Sequence, residues 1–238
     1  MTLESDPAAP VGVLGGTFDP IHLGHLLIAE QARDALGLSR VLFVPAARPP
    51  HKDGARLTHP ERRASMVALA IADHPAFALS RIELDREGPS WTADTLEQLA
   101  AAQAAGEAAG EAAGEAAGRG APDLVLILSA DAFRDLPTWH EPRRILDAAR
   151  IAVLPRGGLP PPRMDWLGPE LADLADRVTI LAAPRLELSG HEIRARVAAG
   201  RSIRHLVPRA VEAYIDDHSL YRDPGRHPVD TPERIPHP

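Results

Sequence analysis

Two histidines, His22 and His25, stand three residues apart where an apolar run and a glycine pair give way to a helical pattern, in GVLGGTFDPIHLGHLLIAEQA from Gly12. An i, i+3 spacing puts both rings on one face of a helix's first turn. That turn carries N–H groups without intrahelical partners and the positive end of the helix macrodipole, and both favour an anion. Imidazoles protonate near neutral pH, so the rings are expected to act as cationic donors. Gly15 and Gly16 permit close backbone approach and positive φ. Strand, glycine turn, helix start and two donors together describe a phosphate cradle. A bare His-x-x-His pair has one alternative, a metal site, because imidazole is a common metal ligand.

Such a cradle needs a scaffold, and the chain has one. Strand-like apolar runs fall at 11–14, 41–44, 77–79, 124–128, 151–154 and 178–181, and helical patterns at about 22–36, 61–72, 92–104, 142–149, 192–199 and 208–217. Near-continuous Val/Ile/Leu strands separated by helices predict a doubly wound α/β fold, a Rossmann-like parallel sheet with helices on both faces and a helical segment at the C-terminal end. Ligands of such sheets sit beyond the carboxyl ends of the strands, where the glycine–histidine stretch lies. Thr58-His59-Pro60-Glu61 fits a capping box with Pro60 in the first turn. The repeat AAGEAAGEAAGEAAG, with glycines at 106, 110, 114 and 118, reads as a frayed helix extension or loop without catalytic role, because each glycine costs about 1 kcal/mol against alanine in a helix. One domain over 9–223 is expected, with the repeat as an insert at about 103–120 and a disordered Pro- and His-containing tail at 224–238.

Composition removes several classes of function. A chain of 238 residues with 45% hydrophobic content can bury a real core. Its net charge of −7 argues against a nucleic-acid partner. No cysteine is present, which excludes disulfides and thiolate metal sites. Apolar runs such as LVLIL from Leu124 are too short to span a bilayer, and the N-terminal decapeptide lacks the pattern of a signal sequence. The expectation is a cytoplasmic protein with no membrane partner, a monomer or homodimer.

GGTFDPIHLGH resembles the signature of the nucleotidyltransferase superfamily, related to the HIGH motif of class I aminoacyl-tRNA synthetases. Further stretches narrow the resemblance: PAARPPHK, SRIELDREGPSWTADTL, LILSADAFRDLPTWHEPRRIL, IAVLPRGG and LELSGHEIRARVAAGRSIRHLVPRAVEAYI follow, in order, those of bacterial nicotinate mononucleotide adenylyltransferases. The likeness runs from about Val11 to Arg222, broken only by the repeat.

The resemblance implies roles residue by residue. His22 and His25 match histidines that bind the ATP triphosphate, with Gly15, Gly16, Thr17 and Phe18 in the same motif. Lys52 occupies a basic position near the phosphates. Trp91 and Thr92 match an aromatic–Thr pair whose backbone amides receive the nicotinate carboxylate, and Trp139 matches a tryptophan that stacks on the pyridine ring. Asp131 matches a ribose-binding aspartate, and Arg156 an arginine that meets the mononucleotide phosphate. The last motif, LSGHEIR, keeps Ser189, Ile193 and Arg194 in register for ATP, whereas Gly190 and His191 replace a small residue and a threonine. Ser189 with Glu192 also forms a capping box. His191, once protonated, is expected to donate to the triphosphate in place of the threonine hydroxyl.

The reaction so implied joins ATP and nicotinate mononucleotide into deamido-NAD and pyrophosphate, by in-line attack of the mononucleotide phosphate on the α-phosphate of ATP. Positioning and electrostatics then carry catalysis. Mg2+ is expected to bind mainly through the ATP phosphates, with no protein metal cage. Two rivals stand beside this reading. A cytidylyltransferase or a pantetheine-phosphate adenylyltransferase shares the first motif, and the altered LSGHEIR could mark a nucleotide-binding regulator that has lost catalysis.

Overall fold

Strands made only of valine, isoleucine and leucine must be covered on both faces. In the computed structural model of the chain, which describes residues 9–50, 57–104 and 123–222, six runs form one sheet. They are β1 Val11–Gly16, β2 Arg40–Pro45, β3 Phe77–Leu79, β4 Leu124–Ser129, β5 Arg150–Leu154 and β6 Val178–Ile180. Every neighbouring pair is parallel, in the order β3-β2-β1-β4-β5-β6. Side chains alternate between two cores. Val41, Phe43, Val125 and Ile127 face one, with residues of α1 (Leu23–Leu36), α2 (Pro60–Ile71), α6 (Gly190–Ala198) and α7 (Arg209–Asp217). Leu42, Val44, Leu126 and Leu128 face the other, with residues of α3 (Thr92–Ala104), α4 (Ala130–Asp135) and α5 (Pro142–Ala148). The order reverses between β1 and β4, where a doubly wound sheet opens a crevice at its carboxyl end.

The expected elements form with shifted ends. Helix α1 starts at Leu23, so His22 is its N-cap, in extended backbone (φ −147°, ψ 170°). The His22 N–H donates to Nδ1 of His25 at 3.2 Å, so the third helical residue returns to the cap as a glutamate would in a capping box. The box expected at Thr58 does not form. His59 caps α2, its Nδ1 accepting from the Glu61 N–H at 3.4 Å, while Glu61 turns away to pair with both nitrogens of Arg81 at 2.8 and 2.9 Å. Helix α4 and the 3-10 segments Leu136–Thr138, Met164–Leu167 and Pro169–Arg177 carried no periodic signal. The expectations for the repeat and the tail lie outside the described residues, apart from the end of α3 at Ala104.

Thr58 has another use. Its carbonyl accepts from Nε of Arg63 (2.8 Å), whose Nη1 donates to the Thr17 carbonyl (2.6 Å) and Nη2 to the Ala46 carbonyl (2.7 Å). Arg63 is 1% exposed, on the buried face of α2 beside Ala64, Met66 and Val67. Guanidinium stays charged when buried and offers its donors in a rigid plane, which suits three carbonyls arriving from three loops. Those carbonyls belong to the main chain and cannot be substituted away. Arg63→Met therefore leaves them unpaired, at about 1–3 kcal/mol each. The expected loss in unfolding free energy is about 3 kcal/mol or more, measured by urea denaturation; a loss below about 1 kcal/mol would show that the loops do not depend on the guanidinium.

Candidate active site

A cavity of about 280 Å3 opens over the carboxyl ends of β1 and β4. Gly15, Gly16 and Thr17 form part of its wall, and a Cβ on Gly15 would meet no atom within 4 Å, so that backbone faces open space. Trp91 and Thr92 at the start of α3, with Trp139, line the same cavity. A smaller hollow of about 70 Å3 is lined by His22, Gly24, Arg156 and Leu188 among others. His25, Ile28 and Ser129 line both, so the two hollows adjoin across His25.

The histidine rings stack with centroids 3.8 Å apart and planes at 26°, and Phe18 presents its ring to His25 edge-on at 5.0 Å. A Cβ on Gly24 would lie 3.0 Å from Nδ1 of His22, which is why glycine separates the pair from within. His22 is 6% exposed, and its Nδ1 is buried with no hydrogen-bond partner among the described residues. Burial, followed by the charge of Arg156, lowers its pKa to about 4. The expectation of two cationic donors is therefore corrected for His22, which is neutral near pH 7 and donates from one nitrogen only. His25 accepts the His22 N–H on Nδ1, so its neutral ring carries the proton on Nε2.

The remaining residues divide. Trp91 packs its ring, tilted, against that of His140 (4.3 Å, 32°), and its N–H is already bonded to the Pro89 carbonyl at 3.1 Å, whereas Thr92 opens α3, where first-turn amides have no intrahelical partner. Trp139 packs against the core and lines the cavity at once. Asp131 and Arg156 meet each other: Nη1 of Arg156 donates to Oδ2 of Asp131, and Oδ1 of Asp131 is buried without a partner among the described residues. Phe18 and Ile193, expected at ATP, are core residues at 1% and 0% exposure; their side chains support the site from behind. Ser189 caps α6, accepting from the Glu192 N–H at 3.2 Å. A Cβ on Gly190 would come within 2.9 Å of the Asp19 carbonyl, to which Arg194 donates at 2.6 Å, so the packing itself calls for glycine there. His191 is exposed at the second position of α6. Ser189, His191, Ile193 and Arg194 line neither hollow. Lys52 lies outside the described residues. Sequence reasoning missed Arg63, Glu83 in the large cavity, and Tyr221, whose hydroxyl donates to Asp19 at 2.6 Å. Only Arg63 left a signal, a charge at a core position of the α2 periodicity.

Relatives match this sequence along nearly the whole chain. The family model for cytidylyltransferase-like proteins matches residues 13–196. A protein of Roseiflexus sp. (strain RS-1) is 47% identical over 90% of this chain and 99% of its own length, and one of Thermus thermophilus is 43% identical over 89% and 99%; both bear the name "Probable nicotinate-nucleotide adenylyltransferase". The chain belongs to the nicotinate-nucleotide adenylyltransferase family. Plasmodium falciparum nicotinic acid mononucleotide adenylyltransferase complexed with NaAD shares the fold, with a TM-score of 0.68 over 90% of this chain and 97% of that one at 16% identity. The family's enzymes are nucleotidyltransferases of NAD biosynthesis, and this chain is one of them.

Because His22 titrates in the folded protein at about 4, below its ordinary 6.5, its neutral state stabilises the fold fully above about pH 6.5, and that contribution disappears as pH falls towards 4. The difference amounts to about 3 kcal/mol. His22→Gln has no such titration, so the gap in unfolding free energy between protein and variant should shift by about that amount between pH 7 and pH 4. Parallel stability curves would place His22 in a solvated setting.

Proposed function

We propose that the two hollows divide the substrates: nicotinate mononucleotide in the larger, its pyridine ring against Trp139, and the ATP phosphates along His22, His25 and the glycine turn beside the smaller. The observation that carries this reading is the wall the hollows share at His25. The mononucleotide phosphate oxygen attacks the α-phosphorus of ATP, the bond from that phosphorus to the bridging oxygen breaks, and deamido-NAD and pyrophosphate leave. A phosphate anion is already nucleophilic, so the chain supplies no side-chain nucleophile. What it supplies is alignment and donors. His25 lines both hollows, and its ring would donate where charge develops on the departing pyrophosphate; such a donor acts on the transition state rather than on the ground state. Thr92 and the α3 start offer amides to the base carboxylate, and Arg156, on the wall of the smaller hollow, offers its guanidinium to the mononucleotide phosphate where it reaches across to the ATP phosphates, releasing Asp131 to the ribose. Gly15, Gly16 and Thr17 let the backbone approach the nucleotide, and Ser189, His191 and Arg194 mark a helix start that suits the triphosphate.

Among the described residues no group of three or more His, Asp or Glu could hold a metal ion. The Mg2+ that accompanies ATP would be held through the phosphates, where it neutralises their charge. No helix of the described residues is long and apolar enough to cross a membrane.

Release of pyrophosphate from ATP tests the function with three acceptors: nicotinate mononucleotide, nicotinamide mononucleotide and phosphopantetheine. Turnover is expected with the first and least with the last. Tight ATP binding with no pyrophosphate from any acceptor would identify a regulator instead. His25→Ala should lower kcat roughly 10²-fold or more, the scale of losing a preorganised oxyanion donor. Trp139→Ala should raise KM for the mononucleotide while KM for ATP stays within about twofold, since stacking on a flat π-system is lost at one site only. A folded variant with unchanged mononucleotide kinetics would return Trp139 to the core.

A further inference from the structure

Two segments far apart in sequence line the larger cavity together: Trp91 and Thr92 at the start of α3, and Trp139 and His140 in the turn before α5. The rings of Trp91 and His140 meet at 4.3 Å, tilted by 32°. One side chain outside the cavity joins the same two segments. Arg144 of α5 donates from Nε and Nη2 to both oxygens of Glu97 (2.9 and 2.7 Å) and from Nη2 to Oδ1 of Asp94 (3.1 Å). Its Nη1 donates to Oε2 of Glu141, the oxygen that lies 3.2 Å from Nε2 of His140. Asp94 and Glu97 follow Thr92 along α3, and Glu141 stands two residues after Trp139.

The backbone marks the same place independently. Glu141 is held in the left-handed region (φ 49°, ψ 57°) immediately before Pro142 opens α5. That conformation is costly for a residue with a Cβ and persists only where neighbours over-determine it. Arg144 and His140 are the neighbours that hold the Glu141 side chain. Stability does not account for the arrangement. The Arg144 side chain is 37% exposed, its three carboxylates more or less equally so, and exposed ion pairs add little to folding. What a planar fork bonded to both oxygens of a carboxylate does give is a fixed distance and angle.

We propose that Arg144 is a positioning residue of the mononucleotide site, a brace that holds the Trp139–Glu141 turn against the start of α3 and so places the Trp139 ring for the base. It touches no substrate and acts through Trp139. Without the guanidinium, Asp94, Glu97 and Glu141 face one another as three uncompensated negative charges, and the turn is released from its left-handed residue. The glycine turn keeps its own support, since Arg63 holds it from the other face of the sheet. The inference rests on the larger cavity being the mononucleotide site.

The test has two arms. The first measures KM for each substrate in the parent, R144M, W139A and the double variant. R144M is expected to raise KM for nicotinate mononucleotide about fivefold or more, with KM for ATP within about twofold of the parent. In the W139A background, where the ring to be placed is gone, the same substitution should change KM for the mononucleotide by less than about twofold. No rise for the mononucleotide, an equal rise for ATP, or a larger change in the W139A background overturns the proposal. Should R144M not fold, R144K, which keeps the charge and loses the fork, carries the same expectations. The second arm needs no turnover. The indole N–H resonance of Trp139, assigned by its loss in W139A, should shift or broaden in R144M without ligand, and an unmoved resonance overturns the brace. If the parent uses no mononucleotide, it is the proposed function that fails, and the resonance still decides whether Arg144 holds Trp139.

Discussion

One buried guanidinium holds the catalytic end of the sheet together. Loops that leave parallel strands at their carboxyl ends have no ladder to satisfy their peptide groups, and a site built there needs another source of donors. Arg63 is that source, reaching the carbonyls of Thr17, Ala46 and Thr58 from a position on α2 otherwise reserved for apolar side chains. The glycine turn of β1, the loop after β2 and the entrance of α2 are thereby fixed to one rigid plane of donors. Lysine could not reproduce this, since its single ammonium is a point charge on a flexible stem. Asp19, with 4% exposure, extends the frame: it accepts from the Thr58 N–H at 3.2 Å and, through its carbonyl, from Arg194 at 2.6 Å.

Within this frame the polar groups are kept low in charge. His22 is neutral because it is buried and because Arg156 is close. Arg156 itself is paired with Asp131. A pocket that must bring two anionic substrates together is thus arranged with its main cation already compensated and its histidine pair stacked and hydrogen-bonded in place. A phosphate entering beside Arg156, as proposed, would exchange partners with an existing ion pair instead of meeting a bare charge, which favours selectivity over raw attraction.

Much of this was legible from residue order. The strands announced themselves because a doubly covered parallel sheet leaves no room for polar alternation, and the glycine–histidine stretch lay where the β1/β4 reversal put the crevice. The structure brings some motif positions together at the cavity and leaves others away from it. Phe18 and Ile193 sit inside motifs expected to bind nucleotide, and only packing reveals that these two face the core. The neutrality of His22 was hidden for a similar reason: it depends on burial at the helix cap and on an arginine 134 positions away in a different βα unit. The Thr58 capping box failed because Glu61 found Arg81, a partner beyond the local window. Pairings across distant segments, such as Asp131 with Arg156, have no local signature at all.

The hydroxyl of Tyr221 bonds to Asp19, across 202 positions of chain. Arg194 reaches the same aspartate's carbonyl across 175. A ribosome delivers the nucleotide motif well before it delivers either clamp. Until these two residues emerge, the GGTFDP turn holds its contact with Arg63 but lacks the two clamps at Asp19, and contacts of such long sequence separation are the slow ones to form. Synthesis and completion of the site are separated in time: the nascent chain can build its central strands and its Arg63 frame as they emerge, but Asp19 gains its last two partners only once α6 and the residues after α7 have left the tunnel.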